Sequence, residues 1–128
     1  MARTLVGLCC FLIGTPGLLH AADGQQKLST EVLAVFAAKC ARCHGPDVRK
    51  PKGRFGYVLD LGRIARNREM IVPGSPGESE LWELVRRDEM PPPDSPTGPL
   101  SAAQKKTICA WIKAGAPARN PGPRRRFP

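Results

Sequence analysis

The sequence predicts a small helical domain: about four helices joined by long loops. Three observations carry this. Apolar residues recur at helical spacing in four separate stretches, two of them opened by strong capping signals. The one strand-like segment, Phe55–Leu61, has no second strand to pair with. The connecting segments are rich in turn-formers, with 13 glycines and 14 prolines in 128 residues, which is high but short of a disordered composition. A chain of this length holds one small domain.

The first helix is expected from Ser29 or Thr30, as cap, to about Lys39. Glu31 lies in its first turn, where the helix dipole favours a negative charge. Val32, Val35, Phe36 and Cys40 form one stripe, with Leu33 and Ala37 beside it. Gly45-Pro46 then stops regular structure. Residues 47–54 read as a basic loop with Arg49, Lys50, Lys52 and Arg54, either simply solvated or serving as a docking patch. Residues 55–61 read as an extended segment lining a pocket, and Leu61 to about Arg68 as a short helix with Leu61, Ile64 and Ala65 inward. Ser75-Pro76-Gly77-Glu78 has the form of a capping box with proline at the first helical position, opening a helix to about Asp88. Pro91-Pro92-Pro93 forces an extended chain. Ser101-Ala102-Ala103-Gln104 is a second capping box, and its helix is expected to end at Gly115.

Chemistry concentrates at Cys40-Ala41-Arg42-Cys43-His44, a Cys-x-x-Cys-His run, which is the attachment pattern of c-type haem. Two thiols three positions apart can add to the two vinyl groups of one haem, and the following His is placed to ligate its iron. A thioredoxin-like dithiol would want a βαβ context, which the pattern lacks. A zinc site would need four ligands.

The N-terminus frames these readings. Residues 1–22 have the form of a secretory signal: Arg3 near the start, a mostly apolar run from Leu5 to Leu19, and His20-Ala21-Ala22 as a small-residue cleavage site. The alternative is an uncleaved membrane anchor. Cleavage would remove Cys9, Cys10 and His20, leaving Cys40, Cys43, Cys109 and a single histidine, His44. An odd cysteine count suits two haem-bound thiols and one core thiol, Cys109, better than a disulfide framework. The protein is then expected to be periplasmic or secreted. Residues 23–29 read as a short polar linker, 30–117 as the domain, and 118–128 as a disordered Pro- and Arg-rich tail. A covalently held haem would also staple a core too small to be robust alone.

With no second histidine, the sixth iron ligand must come from elsewhere. Lys or Tyr57 is possible, but thioether is the commoner partner in electron carriers. Met70 sits in an apolar run, where a methionine is usually core. Met90 sits between a helix end and three prolines and is favoured. A six-coordinate iron leaves no open position for substrate, which points to an electron carrier rather than an enzyme. The net charge of +9 favours redox partners with acidic docking surfaces and allows weak association with a membrane surface. No nucleic-acid motif appears.

These stretches resemble the class I cytochrome c domain, and in particular its planctomycete-type members. The resemblance rests on residues 40–47 (CARCHGPD), 52–61 (KGRFGYVLDL), 71–82 (IVPGSPGESELW), 90–93 (MPPP) and 100–116, ending AWIKAGA. It implies an all-α fold whose first and last helices pack near the haem. It implies thioether sites at Cys40 and Cys43, His44 as proximal ligand and Met90 as distal ligand. In many relatives such a domain opens a much longer secreted protein. The expected function is electron transfer by an exported monohaem cytochrome. The alternatives are an electron-relay accessory of a dehydrogenase, a haem-based sensor in which a small ligand displaces Met90, and a protein whose haem merely stabilises the fold.

Overall fold

The computed structural model describes residues 17–118, with side chains from residue 21 onward. Most of the signal-type segment and nearly all of the basic tail lie outside the described residues. The described chain is all-α. It comprises α1 (Gly17–Lys39), α2 (Ala41–His44), α3 (Leu61–Arg66), α4 (Glu80–Arg86) and α5 (Ala102–Lys113), with 3-10 turns at Lys52–Arg54 and Pro76–Glu78. No strand occurs among the described residues. No described helix is long and apolar enough to cross a membrane.

Helix α1 begins earlier than its capping signal suggests. Residues 23–29, expected as a linker, are helical and continuous with the turns that follow. Ser29 and Thr30 cap nothing; their hydroxyls donate back to the Gln25 and Gln26 carbonyls, at 2.9 Å each. The stretch from Ala21 to Gln26 contains no proline to stop the helix, so it runs through the expected cleavage point.

The core forms where α1 lies on α5. Phe36 meets Trp111 edge-to-face, ring centroids 5.8 Å apart, the favoured geometry for two aromatic quadrupoles. The Trp111 indole N–H donates to the Pro117 carbonyl at 2.9 Å, and the buried Ser29 hydroxyl shares its one proton between that carbonyl, at 2.8 Å, and the Gln25 carbonyl. The end of the domain is thereby tied to both helices. Val32, Ile64, Ile71, Ile108 and Ile112 are fully buried around this contact. Cys109, expected in the core, is only half-buried, because it lies on the flank of α5 beside the stripe of Ile108, Trp111 and Ile112.

The two capping boxes differ in outcome. At Ser101 both reciprocal bonds form, Gln104 N–H to the Ser101 hydroxyl and Ser101 N–H to the Gln104 side chain. At Ser75 the box does not form: a 3-10 turn intervenes, and α4 starts only at Glu80. The cause is Ser79, which is wholly buried. Its hydroxyl takes the Val72 N–H and donates to the Ser75 carbonyl, both at 2.9 Å. These bonds pair main-chain groups of the half-buried Val72 and Ser75, so the chain turns to supply them. Helix α4 stops at Arg86, short of Asp88, whose φ of 59° leaves helical space. Helix α5 closes at Gly115, where φ is 92°.

Candidate haem site

The Cys-x-x-Cys-His run is itself a single helical turn, α2, with Cys40 at its N-cap position. The Cys43 and His44 N–H groups both donate to the Cys40 carbonyl, at 3.1 and 2.9 Å. Residues three and four apart share a helix face, so one tight turn gathers the two thiols and the imidazole. Gly45 ends it: its N–H donates to the Ala41 carbonyl at 2.7 Å. A Cβ at Gly45 would run into that same carbonyl oxygen.

The orientation of His44 is fixed by the extended segment that follows. Its Nδ1 lies 2.8 Å from the Phe55 carbonyl oxygen. A carbonyl can only accept, so Nδ1 carries the proton and Nε2 is left with its lone pair. This is the arrangement by which a backbone carbonyl sets the tautomer of a metal-binding imidazole. The Val58 N–H donates to the His44 carbonyl at 3.1 Å, clasping both sides of the residue to the 55–58 segment. Phe55 also packs on the imidazole, centroids 5.4 Å apart, and on Tyr57 at 4.7 Å. Tyr57 is engaged elsewhere: Asn67 donates to its hydroxyl, and the Arg63 guanidinium lies 4.0 Å above its ring.

Beside α2 lies a cavity of about 750 Å³ of empty space, counting its open mouth. Cys40 and His44 form part of its wall, and Phe36, Val58, Leu81 and Val85 give it an apolar lining. Met90 and Met70 both reach it. A second, smaller cavity adjoins, lined by Cys40, Cys43, His44, Met90 and the Pro91-Pro92 pair. The sequence places Met70 in the core and Met90 at the site; the structure puts both on the cavity wall. All three described cysteines are free.

This setting fits a large apolar disc with polar edges: apolar walls that also carry the Cys40 thiol, the His44 imidazole and two thioethers, with the Cys43 thiol in the adjoining cavity. It does not fit a reactive dithiol. Burial, and then the neighbouring Cys43, push the Cys40 thiol up to about 11, whereas redox dithiols are held low to make thiolate. A tetrahedral zinc site would need a fourth ligand, and no His, Cys, Asp or Glu beyond Cys40, Cys43 and His44 lines either cavity.

Two participants are not legible from residue type. Phe55 acts through its carbonyl, which any residue would offer. Lys39, the last residue of α1, lines the smaller cavity and donates to the Thr97 and Pro99 carbonyls, at 2.5 and 3.1 Å. Neither carries a motif.

A family model described as planctomycete cytochrome C matches residues 40–94, from the first haem-type cysteine past Met90. No curated protein and no solved structure matches the chain. The match omits α1 and α5. The matched stretch holds the Cys-x-x-Cys-His turn with its carbonyl-held histidine and the cavity-wall residues Met70, Leu81, Val85 and Met90, and over it the chain is similar to the planctomycete cytochrome C family.

Proposed function

We propose that the protein is an exported monohaem cytochrome that transfers single electrons, with haem bonded through Cys40 and Cys43, His44 as proximal ligand and Met90 as distal ligand. One observation carries the reading. The hydrogen bond from His44 Nδ1 to the Phe55 carbonyl leaves Nε2 as an electron-pair donor, on a residue whose cavity is shared with Cys40 and Met90. The haem supplies a one-electron ferric/ferrous couple and two vinyl groups. Cys40 and Cys43 would hold the haem through thioethers, each thiol adding its sulfur and its hydrogen across one vinyl group. Phe55 holds the imidazole, so His44 need not reorient when the charge changes. The apolar walls exclude water and disfavour the more highly charged ferric state, which raises the potential, as a thioether ligand does.

The protein in this reading is a carrier, or a relay for an oxidoreductase, rather than an enzyme. Lys52 lines the cavity, and Arg49, Lys50 and Arg54 are exposed within three residues of it in the same loop, a charge suited to an acidic redox partner. Export places it in the periplasm or outside the cell, or on a membrane if the signal is uncleaved.

Met70 is the competing distal ligand, because it lines the same cavity. Optical spectra of the ferric holoprotein separate the two. Met90→Ala should turn the iron high-spin or ligand-exchangeable, while Met70→Ala should leave the spectrum intact. The reverse result would move the ligand to Met70. Reduced wild-type protein should not take up carbon monoxide readily at neutral pH; ready uptake would favour a sensor.

A further inference from the structure

We infer that Lys39 is a positioning residue for the distal ligand, a latch that holds the Met90 strap over the cavity. The inference rests on the reading of Met90 as that ligand. The strap is anchored unequally at its two ends. On the side before the ligand, the Glu89 and Met90 N–H groups both donate to the Leu84 carbonyl, at 3.0 and 3.1 Å, fixing it to α4. Beyond the ligand, Pro91, Pro92 and Pro93 stiffen the chain, and two turn bonds follow, Ser95 N–H to Pro92 at 2.8 Å and Gly98 N–H to Ser95 at 2.9 Å. That stiff segment is joined to α1 by Lys39. Its ammonium donates to the Thr97 and Pro99 carbonyls, at 2.5 and 3.1 Å, and the Thr97 hydroxyl returns a bond to the Lys39 carbonyl at 3.2 Å.

Position makes this more than a loop tie. Lys39 immediately precedes Cys40, and it lines the smaller cavity together with Cys40, His44, Met90 and Pro91. The residue that holds the far end of the strap therefore belongs to the wall that carries the proximal side of the site. Charge-assisted bonds from an ammonium to carbonyls are among the stronger ones, and the acceptors are main-chain atoms of a stiff segment, so releasing them frees the strap as a unit. An exogenous ligand binds the iron only when Met90 is off. Its apparent affinity therefore reports the fraction of molecules in which the strap is closed.

The test is imidazole binding to ferric holoprotein in a double-mutant cycle. Lys39→Met keeps the length of the side chain and removes its donors. It should tighten imidazole binding by about tenfold, the scale of losing charge-assisted bonds. In a Met90→Ala background the same change should shift the affinity less than about twofold, because no ligand remains to be positioned. An equal shift in both backgrounds would overturn the latch, since Lys39 would then act other than through Met90. So would unchanged affinity in Lys39→Met when Met90→Ala binds imidazole tightly. Unchanged affinity in Met90→Ala itself would overturn the distal-ligand reading and the latch with it. If Lys39→Met gives no holoprotein, Thr97→Val, which removes the return bond to the Lys39 carbonyl and the Ser95–Thr97 hydroxyl contact while leaving the Lys39 ammonium its two acceptors, should tighten binding in the same direction; no tightening there would overturn the latch.

Discussion

The imidazole of His44 is committed by a main-chain atom, and Gly45 decides whether that commitment survives. The Phe55 carbonyl fixes the proton on Nδ1. Gly45 lets the chain leave the α2 turn so that the next residues can fold back to offer that carbonyl. Its φ is −84° and its ψ 169°, a conformation open to any residue, so the demand for glycine is one of space. A Cβ would meet the Ala41 carbonyl oxygen, which is backbone and part of the same turn. Gly45→Ala is expected to destabilise the folded holoprotein by about 1–3 kcal/mol, the usual range for forced overpacking, read as a lowered urea midpoint with an unchanged slope. It should also lower haem occupancy. A variant as stable and as fully loaded as the wild type would show that the turn has room to give.

At the scale of elements, two serines of similar sequence appearance do different work. Ser101 closes an exposed capping box on α5. Ser79 is wholly buried and pairs main-chain groups of the 72–75 segment. Ser79→Ala is therefore expected to cost about 2–3 kcal/mol, the penalty for orphaned buried groups. Ser101→Ala should cost only about 1 kcal/mol. Chemical denaturation of both variants checks the order; equal costs would mean that water satisfies the groups Ser79 leaves behind. The contrast also marks what the sequence can reveal. The α5 box was readable because both partners are local and solvent does not compete for the fold. The box at Ser75 misled, because a tertiary demand three residues beyond its Pro76 outweighed a local signal. The early start of α1 was missed for the converse reason: Ser29 looks like a cap, but its hydroxyl is needed for the Pro117 carbonyl. The sequence brings Cys40, Cys43 and His44 together by their spacing and points to Met90, and all four line the two adjoining cavities. The site was illegible where main chain does the work, as at Phe55, or where a lysine is used for reach rather than charge, as at Lys39.

For the whole molecule, a cavity at the centre of so short a domain ties stability to what fills it. The haem-free chain should show this through Cys40. Folding holds its thiol at about 11 against an ordinary value of 9.0, so the folded state keeps the proton more tightly than the unfolded chain. That stabilisation is complete below pH 9 and is lost as pH rises toward 11, by roughly 3 kcal/mol in all. Urea midpoints of the haem-free protein should fall across that window, and Cys40→Ala should flatten the dependence. A thioether does not ionise, so the holoprotein should lack this loss. The central claim is that the two cysteines bond covalently to one haem beside His44. It is tested most directly by exporting the protein with a cytochrome c maturation system and staining for haem after denaturing electrophoresis. Haem should stay with the wild-type band and be absent from a Cys40→Ala, Cys43→Ala double variant. Haem released from the wild type on denaturation, or retained by the double variant, would contradict the account.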